Sequence, residues 1–246
     1  TGDWAIADAF GFRQKMAQEV AQSPEFKEQL VTALAKEWSV PTKLDALLRP
    51  SVGSDSSAND SLVRLLLHVD TLQGEIASGL MQLLPEYQEE EAGAGGVPMV
   101  RLILSQFRWL ERIVDGAALV ETASEIMQVA DAPLKREILL VLPDLVEDGQ
   151  HASAAQTLRA VLAEDTRFLA CVLDAFGALV LEEETLAEVC ETVMGAVGAA
   201  NVEDLPVVIR FLLQHMTPSN AKPTLLALRT GMPLDLLGST AVVAAP

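Results

Sequence analysis

The sequence predicts an all-α fold, and more narrowly a HEAT/armadillo-like α-solenoid of stacked antiparallel helix pairs. Hydrophobic residues make up 50% of the 246 residues and aromatic residues only 4%, and this balance, carried by Ala and Leu, favours helices over sheets. Apolar residues also recur at three- and four-residue intervals along nearly the whole chain, which is the pattern of amphipathic helices. In the second half of the chain, helical hairpins recur at a nearly constant interval, which indicates a repeat.

The first 97 residues predict N-terminal helices interrupted by two flexible loops, at about 50–60 and 86–97. Ser23 and Pro24 give a cap and a proline at the first helical position, both signals of a helix start. The Ser/Gly/Asp-rich and Gly-rich compositions of the two loops are typical of turns and linkers. The helices are expected at Asp3–Gln22, Pro24–Ser39, Thr42–Leu48 and Ser61–Leu84, the last with a break near Gly74.

Residues 98–232 are regular, and the remaining 233–246 form an Ala/Val-rich tail that we expect to be poorly ordered, all within one solenoid domain. Helical hairpins begin near residues 98, 133, 166 and 203. This period favours a HEAT-like array, because the Trp, Gly and Tyr consensus of TPR repeats is missing. The helices are expected at Met99–Val114, Ala117–Ala130, Pro133–Glu147, Ala152–Glu164, Thr166–Val180, Thr185–Ala200, Glu203–Met216 and Pro223–Arg229.

Three prolines lie in comparable settings, in the strings LLPEY, VLPDL and DLPVV. Pro206 is expected in the first turn of its helix, where the missing N–H costs nothing. Pro143 lies well inside a predicted helix and must kink or end it, because proline lacks the N–H and clashes with the preceding turn. In a stacked array such a bend sets how one repeat packs on the next.

The formal charge is −18, from 35 Asp and Glu against 17 Lys and Arg. A field of this sign repels phosphate backbones, so this stretch alone is predicted to be a poor DNA binder and to suit basic protein partners. The N-terminus has no secretory signal pattern, and no apolar run approaches the ~20 residues that span a bilayer. We therefore expect a soluble, non-secreted protein without membrane association.

No motif for catalysis is visible. His68, His151 and His215 are far apart and form neither HExxH nor an i, i+4 pair, so a zinc hydrolase site has no support. No serine lies in GxSxG, and Cys171 and Cys190, spaced too widely for a redox or zinc motif, are expected to be buried free thiols. His151 is expected to bond locally at a helix junction. We predict no enzyme, no cofactor and no metal.

Five strings resemble the N-terminal region of the Fanconi anaemia group D-two protein family, in its order and spacing. They are SLVRLLLHVDTLQ with LLPEY, VRLILSQFRWLERIVDG, REILLVLPDLVEDGQHA and VEDLPVVIRFLLQHM. The similarity covers roughly Ala5 to Arg229 and is most specific in SQFRWLERIVDG and NVEDLPVVIRF. The chain departs from the family in its Gly-rich AGAGG loop and Ala-rich tail.

The resemblance implies a piece of a large nuclear α-solenoid that pairs with the Fanconi anaemia group I protein and acts in DNA interstrand-crosslink repair. The family's full-length proteins clamp duplex DNA and are switched by monoubiquitination of one lysine. That acceptor belongs to a later part of the family's chain, so the resemblance assigns it to none of the lysines of this sequence: Lys15, Lys27, Lys36, Lys43, Lys135 and Lys222.

The resemblance also implies a ubiquitin-binding segment of CUE type. Leu142 and Pro143 stand at its apolar-proline element, and Leu173 stands near its leucine element, although CVLDAF lacks the double leucine. These residues are the candidate contacts for ubiquitin carried by the partner, with ordinary packing between helices as the other interpretation.

Two functions follow. The first is a non-catalytic N-terminal scaffold and protein-interaction domain of a monoubiquitin-regulated DNA-repair clamp, with DNA bound through the full-length complex. The alternative is a generic HEAT-type adaptor or transport scaffold that binds basic protein partners and to which the family resemblance has been wrongly attached. A hydrolase with a dispersed site would need a pocket that gathers His151 with carboxylates.

Overall fold

The computed structural model describes residues 9–50, 61–89, 97–108 and 110–231. Within these ranges the chain forms thirteen α-helices joined by short 3₁₀ turns, and its only extended pairing is an isolated bridge between Pro50 and Ser61. The all-α prediction is confirmed. The expected helix start at Asp3, the loop residues 51–60 and 90–96, and the tail at 233–246 lie outside the described residues.

The chain divides into two compact units, residues 1–147 and 148–246, and each is described by itself. The first unit contains eight α-helices in its described residues, with 3₁₀ turns at Leu84–Tyr87 and Leu142–Leu145. Its helices are α1 (Ala9–Gln22), α2 (Pro24–Trp38), α3 (Pro41–Leu48), α4 (Leu62–Leu67), α5 (Asp70–Leu83), α6 (Met99–Ser105), α7 (Gly116–Val129) and α8 (Ala132–Val141).

Most of the first unit packs in two layers. Helices α2, α5 and α7 pack on one another in sequence, and α3, α6 and α8 do the same in the second layer, while α2–α3, α5–α6 and α7–α8 make the cross-layer pairs. Leu72, Ile76 and Leu80 of α5 recur every four residues and are fully buried, so a single stripe of this helix supplies the centre of the core. This packing is consistent with the predicted array of helix pairs.

Short polar side chains fix several helix starts. Ser23 Oγ accepts from the Phe26 N–H at 3.2 Å, as the cap and proline of α2 predict. Asp115 and Asp131 cap α7 and α8 in the same way, accepting from Ala118 N at 3.1 Å and Leu134 N at 2.8 Å. Local sequence therefore sets where these helices begin.

The predicted break in Ser61–Leu84 exists, but its predicted position is wrong. The interruption is at His68 and Val69, between α4 and α5, and Gly74 lies inside a continuous helix. The Gln73 side chain is responsible, because its Nε2 donates to the Leu67 carbonyl at 2.9 Å and so satisfies the end of α4.

The predicted helix Met99–Val114 is also wrong, because α6 ends at Ser105. The Gln106 side chain is buried there, and its Nε2 donates to the carbonyls of Leu48 at 3.2 Å and Leu102 at 2.9 Å. Further along, the Arg112 carbonyl and the Val114 N–H bond to Gln73. These backbone groups are satisfied by side chains from elsewhere in the unit, so they do not need a helix.

Pro143 ends its helix. The predicted helix Pro133–Glu147 stops at Val141, and Leu142–Leu145 form a tight 3₁₀ turn with Pro143 in its first positions. The missing N–H of proline explains the end. Pro85 occupies the equivalent place in the turn Leu84–Tyr87, so the two prolines have the same structural role.

Ion pairs join positions about one repeat apart in the first unit. Arg101 pairs with Glu137 at 2.6 Å, and Arg108 Nε donates to Asp144 at 3.2 Å. The hydrogen bond from Arg101 to Glu137 raises the pKa of the arginine. Three of these four side chains are exposed and only Glu137 is half-buried, so each pair contributes at most about 1 kcal/mol to stability. Their role is to fix which residues face each other between neighbouring helices.

The second unit contains five α-helices in its described residues, with 3₁₀ turns at Asp148–Gln150, Thr166–Phe168 and Val197–Ala199. Helices α9, α11 and α13 pack in sequence, and α10 packs on α12 to form the second layer. Pro206 lies in the first turn of α12, as predicted. The helices are α9 (His151–Glu164), α10 (Leu169–Ala178), α11 (Glu183–Ala196), α12 (Leu205–Gln214) and α13 (Ala221–Gly231).

The two glycines of α5 should respond oppositely to alanine. A Cβ on Gly79 would lie 2.7 Å from Trp38 Cζ3, whose ring is buried between α2 and α5, whereas a Cβ on Gly74 meets nothing within 4 Å. We expect Gly79→Ala to lower the free energy of unfolding by about 1–3 kcal/mol through overpacking. Gly74→Ala, the matched control, should raise it by up to about 1 kcal/mol. Urea denaturation followed by circular dichroism measures both, and equal shifts would contradict the close approach of the two helices.

Candidate protein-binding site

A groove in the second unit lies between α10 and α12 and is closed at one side by the start of α11. Its volume is about 560 Å³. We call it the α10–α12 groove, and its lining residues are Leu173, Asp174, Phe176, Gly177, Leu179, Leu181, Leu186, Val207, Arg210, Phe211, Gln214 and His215.

The floor of the groove is aromatic and fixed by packing. Phe176 of α10 and Phe211 of α12 are buried, with ring centroids 6.2 Å apart. The His215 ring lies 4.5 Å from the Phe211 ring, and His215 Nδ1 lies 2.9 Å from the Phe211 carbonyl, a contact that requires the proton on Nδ1. Asn220 Nδ2 donates to the His215 carbonyl at 3.1 Å. The end of α12 is therefore held in one arrangement.

Two opposite charges lie on the walls of the groove. Asp174 projects from α10 and Arg210 from α12, and both side chains are exposed. Within the part of the chain that the structure describes, neither makes an ion pair or a side-chain hydrogen bond. An apolar floor with charged walls can bind an amphipathic segment, and the two charges can orient it.

The three candidate ubiquitin contacts fall in different settings. Leu142 is fully buried in the first unit, and Pro143 beside it is half-buried in the same 3₁₀ turn. Leu173 belongs to the second unit, where it is 3% exposed and contributes to the groove. The structure thus gives Leu142 and Leu173 the packing roles that apolar helical positions usually have.

His151 is a structural residue. Its Nδ1 accepts the Val180 N–H at 2.9 Å, which ties the start of α9 to the segment after α10. The ring is buried, and its Nε2 lies 3.8 Å from an oxygen of the exposed Asp148. The expectation of bonding at a helix junction is met, although the partner is 29 residues away and not local.

The cysteines differ from each other. Cys190 is buried as predicted, and burial raises the pKa of its thiol, which keeps it protonated and unreactive. Cys171 is only half-buried, so the prediction is wrong for this residue. Neither forms a disulfide within the described residues.

Metal-binding and membrane-spanning features do not occur in the described ranges. No group of three or more His, Cys, Asp or Glu side chains there has an arrangement suited to a metal ion. Of the helices in residues 9–231 that the structure describes, none combines the length and the apolar character needed to cross a membrane.

The groove was not predictable from local sequence motifs. Asp174 and Arg210 are 36 residues apart, and nothing in their immediate neighbours marks them. The repeat period is the one signal that could have paired them, because α10 and α12 are equivalent helices of successive pairs. A search for charged residues one period apart would have found the pair.

These features define a class: an all-α protein whose helices pack in layers within each unit, with a surface groove between two helices of the second unit. Comparison with known proteins narrows the class. A model of the family described as "Fanconi anaemia protein FancD2 nuclease" matches residues 5–244. The chain therefore belongs to the Fanconi anaemia group D2 family. The premise of the adaptor alternative, a wrongly attached family label, is overturned by this match.

Named relatives agree with the family model. The chain is 31% identical to the Fanconi anemia group D2 protein homolog of Rattus norvegicus over 232 residues, 90% of this chain and 16% of that protein. It is 34% identical to the group D2 protein of Gallus gallus and 33% identical to the homolog of Mus musculus, over 73% and 70% of this chain. The matched segments are 13% and 12% of those two proteins, so the chain spans a small part of its relatives' length.

Proposed function

We propose that this chain is a non-catalytic N-terminal scaffold and protein-interaction domain of a monoubiquitin-regulated DNA interstrand-crosslink repair clamp. In this role it pairs with the Fanconi anaemia group I protein and works in the nucleus. The observation that carries the proposal is the α10–α12 groove in a member of the group D2 family, because its buried aromatic floor and unpaired charged walls suit a protein partner.

A scaffold fits the chemistry of the chain better than a catalyst does. The family description includes the word nuclease, and nuclease sites commonly gather carboxylates around paired metal ions. The described residues hold no such group. His151 is buried beside Asp148, but its Nδ1 accepts the Val180 N–H. The charge of −18 disfavours DNA contact by this chain, so the clamp would bind DNA through its other parts.

Ubiquitin carried by the partner is the finer part of the proposal, with Leu142, Pro143 and Leu173 as its contacts. The half-buried Pro143 supports this part most directly, because its ring has accessible surface, whereas Leu142 and Leu173 are almost fully buried. Ubiquitin-binding surfaces of this kind would present an apolar patch to the partner.

Titration of the chain with purified group I protein tests both parts. We expect binding of the unmodified partner at about 0.1 M salt and weaker binding at higher salt, where exposed charges are screened. The monoubiquitinated partner should bind more tightly, and Pro143→Ala should remove that difference. Pro133→Ala, at the exposed start of α8, is the matched control.

The two parts can fail separately. If the unmodified partner does not bind, pairing through this chain is wrong. If both forms bind equally, or if Pro133→Ala acts like Pro143→Ala, the ubiquitin contact is wrong and pairing stands.

A further inference from the structure

The α10–α12 groove has the shape of a helix-binding site. Two equivalent helices form its walls, and buried Phe176 and Phe211 form its floor. Leu181 and Leu186, at the side closed by α11, are only half-buried and leave apolar surface open to an occupant. Amphipathic helices bind in such grooves by inserting residues at three- and four-residue spacing.

The charge around the groove is mostly negative. Glu182, Glu183 and Glu184 are exposed and lie in the chain between the lining residues Leu181 and Leu186. Together with Asp174 of the groove wall they are four carboxylates, and none of the four forms an ion pair with a described residue. Uncompensated carboxylates beside an apolar floor are complementary to a partner with basic side chains flanking an apolar face.

We propose that the α10–α12 groove binds a basic amphipathic helix of a partner protein. This inference rests on the proposed function and specifies the chemistry of the partner. The helix would place apolar side chains over Phe176 and Phe211 and basic side chains toward Asp174 and the start of α11. Arg210, the basic residue of the opposite wall, would then face a single acidic residue of the helix and fix its direction.

The experiment uses the whole 246-residue chain and two fluorescent peptides. Both carry leucine at helical spacing, one with Lys and Arg on its polar face and the other with Glu at the same positions. Fluorescence anisotropy should show binding of the basic peptide and much weaker binding of the acidic one. Leu186→Glu should abolish most of the binding by placing a charge on the apolar surface.

Charge variants locate the binding to the groove. Asp174→Lys and Glu183→Lys should each lower the affinity for the basic peptide about fivefold, because one exposed charge interaction is worth roughly that much. Arg210→Glu should raise the affinity by a similar factor. Glu164→Lys, an exposed acid at the end of α9 and outside the groove lining, is the matched control and should change little.

Three results would overturn the inference. The acidic peptide could bind as well as the basic one, Glu164→Lys could weaken binding as much as Asp174→Lys, or the peptide could compete with self-association, which would make a second copy the occupant. Failure here is distinct from failure of the proposed function. If the group I protein binds but the basic peptide does not, only the inference about the groove is wrong. If the peptide binds but the group I protein does not, only the proposed pairing is wrong.

Discussion

Leu142→Asp is expected to unfold the first unit. The Leu142 side chain is fully buried, as are Leu139 and Leu145 beside it. An ionised carboxylate without a partner in this apolar setting costs several kcal/mol, which is comparable to the whole stability of a domain of about 5–15 kcal/mol. Thermal denaturation followed by far-UV circular dichroism should show loss of the cooperative transition or a large fall in its midpoint.

Leu140→Asp is the matched control for this substitution. Leu140 lies near the end of α8, just before the turn that holds Leu142, and is 43% exposed. Its replacement should change the free energy of unfolding by less than about 1 kcal/mol, as is usual for surface positions. If Leu142→Asp were as mild as Leu140→Asp, the packing of the turn Leu142–Leu145 would be wrong. If it unfolds the unit, a loss of ubiquitin binding in that variant says nothing about a ubiquitin contact.

Gln73→Leu should lower the free energy of unfolding of the first unit by about 3–5 kcal/mol. The Gln73 amide is 2% exposed and makes three hydrogen bonds to backbone groups. Its Nε2 donates to the carbonyls of Leu67 at 2.9 Å and Arg112 at 2.7 Å, and its Oε1 accepts the Val114 N–H at 2.6 Å. Leucine has a similar size but leaves all three groups unpaired, at about 1–3 kcal/mol for each fully buried group.

Urea denaturation measures the loss, and Gln82→Leu is the control on the same helix. The Gln82 side chain is exposed and makes only a 3.4 Å contact with Ser78 Oγ. Hydrogen exchange of the Val114 amide gives a local measurement, because that amide should exchange much faster in Gln73→Leu. An unchanged exchange rate would show that Gln73 does not hold the segment before α7.

The helix starts and the helix-ending proline were predictable because their signals are local. Ser23 with Pro24 caps and opens α2, Pro206 lies in the first turn of α12, and Pro143 stops α8. Each of these effects depends on a few consecutive residues and on the geometry of the backbone alone.

The two errors in helix length have a different origin. The end of α4 and the early end of α6 depend on Gln73 and Gln106, whose side chains bond to backbone groups 6 to 58 residues away. A glutamine inside a helical pattern carries no sign of such partners, because its helix propensity is ordinary. The same is true of Asp174 and Arg210, which become one site only when their helices pack together.

Two ion pairs join α6 and the segment after it to α8 and the turn that follows α8. In both pairs the arginine comes first in the sequence and the acid second. Arg101 and Arg108 come from the earlier positions, and Glu137 and Asp144 from the later ones, each pair 36 residues apart. Reversal of the charge of one partner alone would place like charges opposite each other, so we expect such positions to change together. A relative that carries an acid at position 101 would be expected to carry a base at position 137. We therefore expect divergence in these helices to proceed by exchange of both partners of a pair and not by independent drift.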